Sequence, residues 1–283
     1  MRIVFYAREG FEGDALFNYL FANVASEFPD CRIVAVKRAA PGGLSRTASR
    51  FRRTLRQRGV LQTVEMLTSK PLQKLIMRSH QSEVERRLRA LPRPAVRLPT
   101  AEYVQDTNGP ESVRVISGQR PDVIIQAGAG ILRRQIFSIP RLGTLNLHHG
   151  IAPLIRGVQS IYWGLYEKRD NWLGATVHFI DEGIDTGGVL AHAAVERRPG
   201  ETFPSLFARA TESGTIALRS VLRRLEAGER WTIPPFAAGS AYRSSISGWR
   251  MALVELRLWK ERRARTPAGE SAADSATHRL LNS

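Results

Sequence analysis

The chain has 283 residues, 43% hydrophobic and 24% charged, a balance that excludes wholesale disorder and suits one large α/β domain with a small appendage. One cysteine, Cys31, excludes a disulfide scaffold and a cysteine-built zinc site, and no apolar run reaches the roughly 18 residues of a membrane span. The net charge is +16, of which residues 37–97 carry +13 (16 basic against three acidic side chains), a block that either draws anionic partners or forms solvated helix faces. Residues 3–7 are a short apolar run, followed by Gly10, Gly13 and an amphipathic stretch over 15–25; together they predict strand, loop and helix. Residues 32–36 predict a second strand. From 42 to about 91 the rhythm breaks into helical composition with apolar stripes (Leu61, Val64, Leu67, Leu72, Leu75), which marks a helical insertion.

Alternation resumes with strand-like residues 95–98, a helix over 111–118, and strands over 122–126 and 145–148. A helix over 158–167 follows, then strands over 175–180 and 189–195 joined by the loop 181–188, and a long helix over 203–227. Such alternation predicts a doubly wound, mainly parallel sheet with ligands at the carboxyl ends of its strands. The catalytic unit is expected to span 1–230. Residues 231–283 form an extension with a basic amphipathic piece over 248–265 and a disordered polar tail from Thr266. The first residues enter strand-like sequence directly, unlike a signal peptide, so a cytoplasmic location is expected.

Two glycine patterns fail as nucleotide sites. Gly128-Ala129-Gly130-Ile131-Leu132 lacks the third glycine of a dinucleotide fingerprint, with Arg133 in its place. The first turn, residues 8–13, lacks the lysine of a P-loop and carries Glu9 and Glu12, which repel phosphate. The informative stretch is 143–190. Asn146 and His148 stand two apart on a strand and therefore project from one face. The acidic, glycine-rich loop Asp181-Glu182-Gly183-Ile184-Asp185 follows another strand and can return Asp185 to the same end of the sheet.

Asn146-Leu-His148-His149-Gly-Ile-Ala-Pro153-Leu-Ile-Arg156-Gly157, with Gly174-Ala-Thr-Val-His178-Phe-Ile-Asp181-Glu-Gly-Ile-Asp185-Thr-Gly187 in the right order and spacing, resembles the 10-formyltetrahydrofolate-dependent formyltransferases. The resemblance is strong over about 120–195, weaker over 1–36 and 95–120, and absent from the insertion and tail. It implies formyl transfer to a primary amine with 10-formyltetrahydrofolate as co-substrate, no metal, and Asn146, His148 and Asp185 as the catalytic set. It also implies that Gly128, Ala129, Gly130, Ile131 and Leu132, with Asp181, Glu182, Gly183 and Ile184, hold the pterin. In that chemistry Asn146 donates to the tetrahedral oxyanion, a protonated His148 donates a second hydrogen bond or a proton, and Asp185 orients His148, favours its charged form and positions a water.

His149 either lines the acceptor pocket or holds the turn. Arg156 either meets an anionic acceptor or the folate tail, or is merely solvated. His178 is expected to pack near the folate pocket, and Tyr162 and Trp163 to be core. An amino sugar, nucleotide-linked or not, is the expected acceptor, with other small amines (an amino acid or hydroxylamine) as alternatives. Glycinamide ribonucleotide is disfavoured by Glu9 and Glu12 in the first loop. Methionyl-tRNA is disfavoured because that branch carries a C-terminal β-barrel, whereas about 50 residues follow Gly228 here. A competing class is a binding protein on the same fold that docks its basic insertion on RNA or an anionic surface. Few aromatics in the insertion disfavour nucleic acid. The stripe Trp249, Leu253 and Leu256 is expected to pack back on the domain or on a second subunit, with a membrane surface as the alternative.

Overall fold

The computed structural model describes residues 1–37, 44–231 and 240–264, with the side chains of 44–59, 61 and 62 outside the description. The disorder expected from Thr266 onward therefore lies outside the described residues. β1 (Ile3–Arg8) buries five consecutive side chains, the pattern of a central strand covered on both faces. Helix α1 (Ala15–Ala25) starts where Asp14 Oδ1 accepts the backbone N–H groups of Leu16 and Phe17 at 2.9 and 3.2 Å. β2 (Cys31–Val36) leads to the insertion, whose described part is a single helix, α2 (Leu44–Ala90), with Pro71 inside it.

Residues 95–98 do not form the expected strand. Pro92, Pro94 and Pro99 remove ladder donors around them, residues 92–97 are exposed, and the edge strand is instead β3 (Glu102–Val104). Then come α3 (Pro110–Gln119), β4 (Val123–Ala127), the one-turn α4 (Arg134–Phe137), β5 (Gly143–His148), β6 (Ile155–Gly157) and α5 (Ser160–Glu167). The chain closes with β7 (Gly174–Phe179), β8 (Val189–Ala194), α6 (Phe203–Glu226), β9 (Ala241–Arg243) and α7 (Gly248–Arg263). β9 lies in the 231–283 extension, for which the sequence predicts no strand, and pairs in parallel with β6.

The main sheet has the order β3-β2-β1-β4-β5-β7-β8. The first five strands in this order are parallel, β7 is antiparallel to both its neighbours β5 and β8, and β8 thus returns to the direction of the first five. One core lies between this sheet, α1 and α6, built on Phe5, Phe17, Phe21, Leu145 and Leu222; a second, with Tyr6, Ile116, Ile124 and Ile136, covers the other face. A third gathers α5, α6 and α7 around Tyr162, Trp163, Phe203 and Met251, and here Tyr162 and Trp163 are core, as expected.

Of the packing expected for the α7 stripe, the part against the chain's own domain is not seen. Met251, Val254 and Leu258 are buried, while Trp249, Leu253 and Leu256 face solvent. α7 is apolar on two faces, and the one that carries Met251, Val254 and Leu258 is the one packed into the third core.

Candidate active site

Asn146 and His148 sit at the carboxyl end of β5, where the parallel part of the sheet meets antiparallel β7. The β5–β7 register sets Asn146 opposite His178 and His148 opposite Thr176, so all four side chains share one face. The turn after β5 must come close: a Cβ at Gly150 would lie 2.8 Å from His148 Nε2 and 2.7 Å from Ser160 Cβ. Glycine is therefore required there.

The acidic loop folds on its own side chains. Asp181 Oδ1 accepts from Gly183 N at 3.0 Å and from the Thr186 hydroxyl at 2.6 Å, an Asx-type turn. This carries Asp185, in the left-handed region at φ 51°, back over the end of β5; aspartate tolerates that conformation better than most residues. Its Oδ2 accepts from Gly157 N at 2.9 Å and lies 3.4 Å from His148 Nδ1, and its Oδ1 lies 3.5 Å from His178 Nε2 and 3.4 Å from Asn146 Nδ2. The three residues expected to act together are thus adjacent.

His178 joins them, which corrects its reading as a packing residue. Its Nδ1 is 2.7 Å from the Phe179 carbonyl, which can only accept, so Nδ1 carries the proton and Nε2 accepts from Asn146 Nδ2 at 3.1 Å. The signal was available in the sequence: with His178 and Asn146 on neighbouring antiparallel strands, strand parity places both on one face. Asn146 Nδ2 therefore directs one hydrogen to His178 and the other, over the longer 3.4 Å contact, to Asp185.

The electrostatics also correct the expected imidazolium. Burial holds the His148 pKa below its ordinary value against the pull of Asp185, and His178 lowers it further, so His148 is neutral near pH 7. Its Nδ1–H faces the Asp185 carboxylate and its Nε2 lies 3.2 Å from the Ser160 hydroxyl. For Asp185, burial works to raise the pKa, but His178, His148 and the Gly157 N–H outweigh it and hold the carboxyl below its ordinary range. The site therefore rests as a carboxylate beside a neutral His148, with the His178 ring and the Asn146 amide against its other oxygen.

This cluster forms the floor of a cavity of about 520 Å³. Of the segments expected to hold the pterin, Gly130, Ile131, Leu132, Asp181, Gly183 and Ile184 line it, whereas Gly128, Ala129 and Glu182 do not. Glu182 points outward to Arg134 at 3.5 Å. Gly128 and Gly130 have φ of 96° and 100°, and the segment is tied down by Thr107 Oγ1 donating to the Ala129 carbonyl at 2.7 Å and Gln126 Nε2 donating to Gly130 O at 3.1 Å. At the opposite end the wall is apolar and aromatic: Met77 of α2, Ile161 of α5, and Phe203 and Phe207 of α6, with His149 and Gln159 as polar groups. No lysine or arginine is among the described lining residues.

His149 is both a cavity-bordering and a packed residue. It borders the cavity, yet its ring stacks on Phe207 at 4.1 Å and its Nε2 contacts Thr211 Oγ1 at 2.8 Å. Arg156 lies outside the lining. It fastens the acidic loop, with Nη1 donating to Ile184 O at 3.1 Å and Nε to the Ser240 hydroxyl at 2.8 Å.

Residues 62–222, more than half of the chain, match the family model described as formyl transferase. The chain belongs to the formyl transferase family. Among curated relatives of this chain, the methionyl-tRNA formyltransferase of Aromatoleum aromaticum is 35% identical over 139 residues, covering 49% of this chain and 44% of the relative. That of Chlorobium chlorochromatii is 31% identical over 140 residues, covering 50% and 44%. The chain thus spans less than half the length of these relatives. Among solved structures, a sugar N-formyltransferase from Shewanella sp FDAARGOS_354 shares the fold at TM-score 0.53 and 14% identity, over 91% of this chain and 88% of that one. HypX from Aquifex aeolicus, solved in complex with tetrahydrofolic acid, shares it at TM-score 0.52 and 14% identity, over 91% of this chain and 34% of that one.

Proposed function

We propose that the protein transfers the formyl group of 10-formyltetrahydrofolate to the primary amine of a small acceptor, an amino sugar. The observation that carries the reading is the convergence of Asn146, His148, His178 and Asp185 on the floor of one cavity, between the 128–132 and 181–185 segments on one side and the Met77, Phe203 and Phe207 wall on the other. In the reaction the amine nitrogen attacks the formyl carbon, the carbonyl becomes an oxyanion, the bond from that carbon to the folate nitrogen breaks, and the ammonium proton is removed. Asn146 serves the oxyanion with the amide hydrogen held only by the long Asp185 contact. Ionised Asp185 stabilises positive charge on the attacking nitrogen. Neutral His148 takes up the ammonium proton through a water, its charged form then being favoured by the carboxylate against its Nδ1, and the proton passes to the folate nitrogen as its bond to the formyl carbon breaks, which releases neutral tetrahydrofolate.

The amino-sugar class is supported by the acceptor side of the cavity. Aromatic and apolar groups suit the face of a sugar ring, His149 and Gln159 supply hydrogen bonds, and a phosphate close to the amine would meet no cation. A second reading, a methionyl group, is favoured by the same Met77 and Phe wall, which also suits a thioether chain, and by the names of the curated relatives. The test is release of tetrahydrofolate from 10-formyltetrahydrofolate with a panel of amino-sugar nucleotides, free amino sugars and methionyl-tRNA. Faster release with an amino sugar supports the first reading and faster release with methionyl-tRNA the second. No release with any amine, from protein that binds folate, refutes amine formylation.

A further inference from the structure

We propose that the outward faces of α2 and α7 together dock the protein on an anionic lipid surface. On α7, Trp249, Leu253, Leu256 and Trp259 are 44–59% exposed, although the buried Met251, Val254 and Leu258 already hold the helix to the domain. α2 repeats the arrangement: Val60, Val64, Leu67 and Leu75 recur at helical spacing and are 47–67% exposed. The two helices lie against one another. Ser69 Oγ accepts from Gly248 N at 3.0 Å, Gln73 Nε2 donates to Ile246 O at 2.6 Å, and Arg250 Nε pairs with Glu65 at 2.9 Å. Eight large apolar side chains therefore face solvent from one helix pair, beyond the single exposed residues normal on a soluble surface.

The charges are sorted about these two stripes. The acidic groups of α7 turn inward: Glu255 accepts from the Tyr162 hydroxyl at 3.1 Å and approaches His80 at 3.5 Å, while Glu261 takes Arg197 and the Gly200 N–H, both at 2.8 Å. Glu65, the one acid of α2 between Val60 and Arg78, is held by Arg250 and Ser247. Exposed beside the apolar stripes are Lys70, Lys74 and Arg78 of α2 and Lys260 and Arg263 of α7. An apolar stripe with two tryptophans and a cationic rim matches the boundary of an anionic bilayer, where apolar side chains enter the acyl region and cations meet headgroups. A second copy of the chain would set two cationic rims against each other, and nucleic acid would leave the stripes unburied. No described helix is long and apolar enough to cross a membrane, so the contact is peripheral.

The test is co-sedimentation of the full chain with phosphatidylcholine vesicles, with and without phosphatidylglycerol, at low and high salt, followed also by tryptophan emission. Expected are binding to the anionic vesicles alone, a blue shift on binding, and release by salt. The double variant Leu253→Asp, Leu256→Asp changes only exposed positions, so its melting temperature should stay near that of the parent while vesicle binding falls more than about tenfold. Lys74→Glu with Lys260→Glu should weaken it by about fivefold or more per site. Failure to bind anionic vesicles at low salt overturns the proposal, as does equal binding to neutral ones. It is also overturned by undiminished vesicle binding of the leucine variant, by a preference for RNA over vesicles in competition, or by a dimer in sedimentation velocity that the leucine variant dissociates.

Discussion

Acidification should destabilise the protein through His149, and the size of the effect follows from its surroundings. The ring is stacked on Phe207 and its Nε2 touches Thr211 Oγ1, whose own proton goes to the Phe207 carbonyl at 2.9 Å. Burial, with His148 as a lesser cause, lowers its pKa to about 3 from an ordinary 6.5. Between these values the unfolded chain binds a proton that the native state refuses. The native state thus keeps its full stability above about pH 6.5 and loses it progressively as pH falls toward 3. At about pH 5 the gap of about 1.5 units corresponds to about 2 kcal/mol, reduced toward 1 because one edge of the ring borders the cavity. The assay is urea unfolding at about pH 7.5 and about pH 5 for the parent and for His149→Gln, which keeps an amide able to reach Thr211 but cannot titrate. Contributions of Asp185 and the other carboxylates are common to both proteins and cancel in the difference. The parent should lose about 1–2 kcal/mol more than the variant between the two pH values. An equal loss in both would refute the account of His149 as a buried neutral imidazole.

Replacing Asn146, His148 or Asp185 by Ala should leave the circular dichroism spectrum intact and lower turnover, on the order of 10² to 10³ for the oxyanion donor; wild-type turnover in any folded variant removes that residue from the mechanism. Gly157→Ala should destabilise the protein by about 1–3 kcal/mol and depress activity with it, because at φ 102° a Cβ would lie 2.0 Å from the Arg243 carbonyl and disturb the N–H that holds Asp185; an unchanged urea midpoint would contradict this. 5-Formyltetrahydrofolate should raise the melting temperature while NADH and ATP do not, and a shift with NADH alone would count against the folate reading. Met77→Lys should raise KM for the acceptor while leaving the folate-induced thermal shift in place, since Met77 lines the wall away from the 128–132 and 181–185 segments; an unchanged KM would take Met77 out of the acceptor site.

Local pattern was enough for most elements of the main sheet and for setting Asn146, His148 and Asp185 at one sheet end, but not for residues 95–98, β6 or β9. The apolar runs that became β1 and β4, the 15–25 helix and the two-residue spacing of Asn146 and His148 are short-range facts, and chain order with the Asp181–Asp185 loop placed a carboxylate at the same sheet end. Three things depended on contacts between residues distant in sequence. The part of His178 depended on the β5–β7 register, which sets it against Asn146 across 32 positions. The protonation of His148 depended on desolvation by neighbours from other elements, since the charge state of an imidazole is set by what surrounds it and not by its flanking residues. The choice of which face of α7 to bury depended on the neighbouring elements, α2 and the third core: periodicity counts apolar positions on a helix, but only the neighbouring surface decides which of two apolar faces is covered and which is left to solvent.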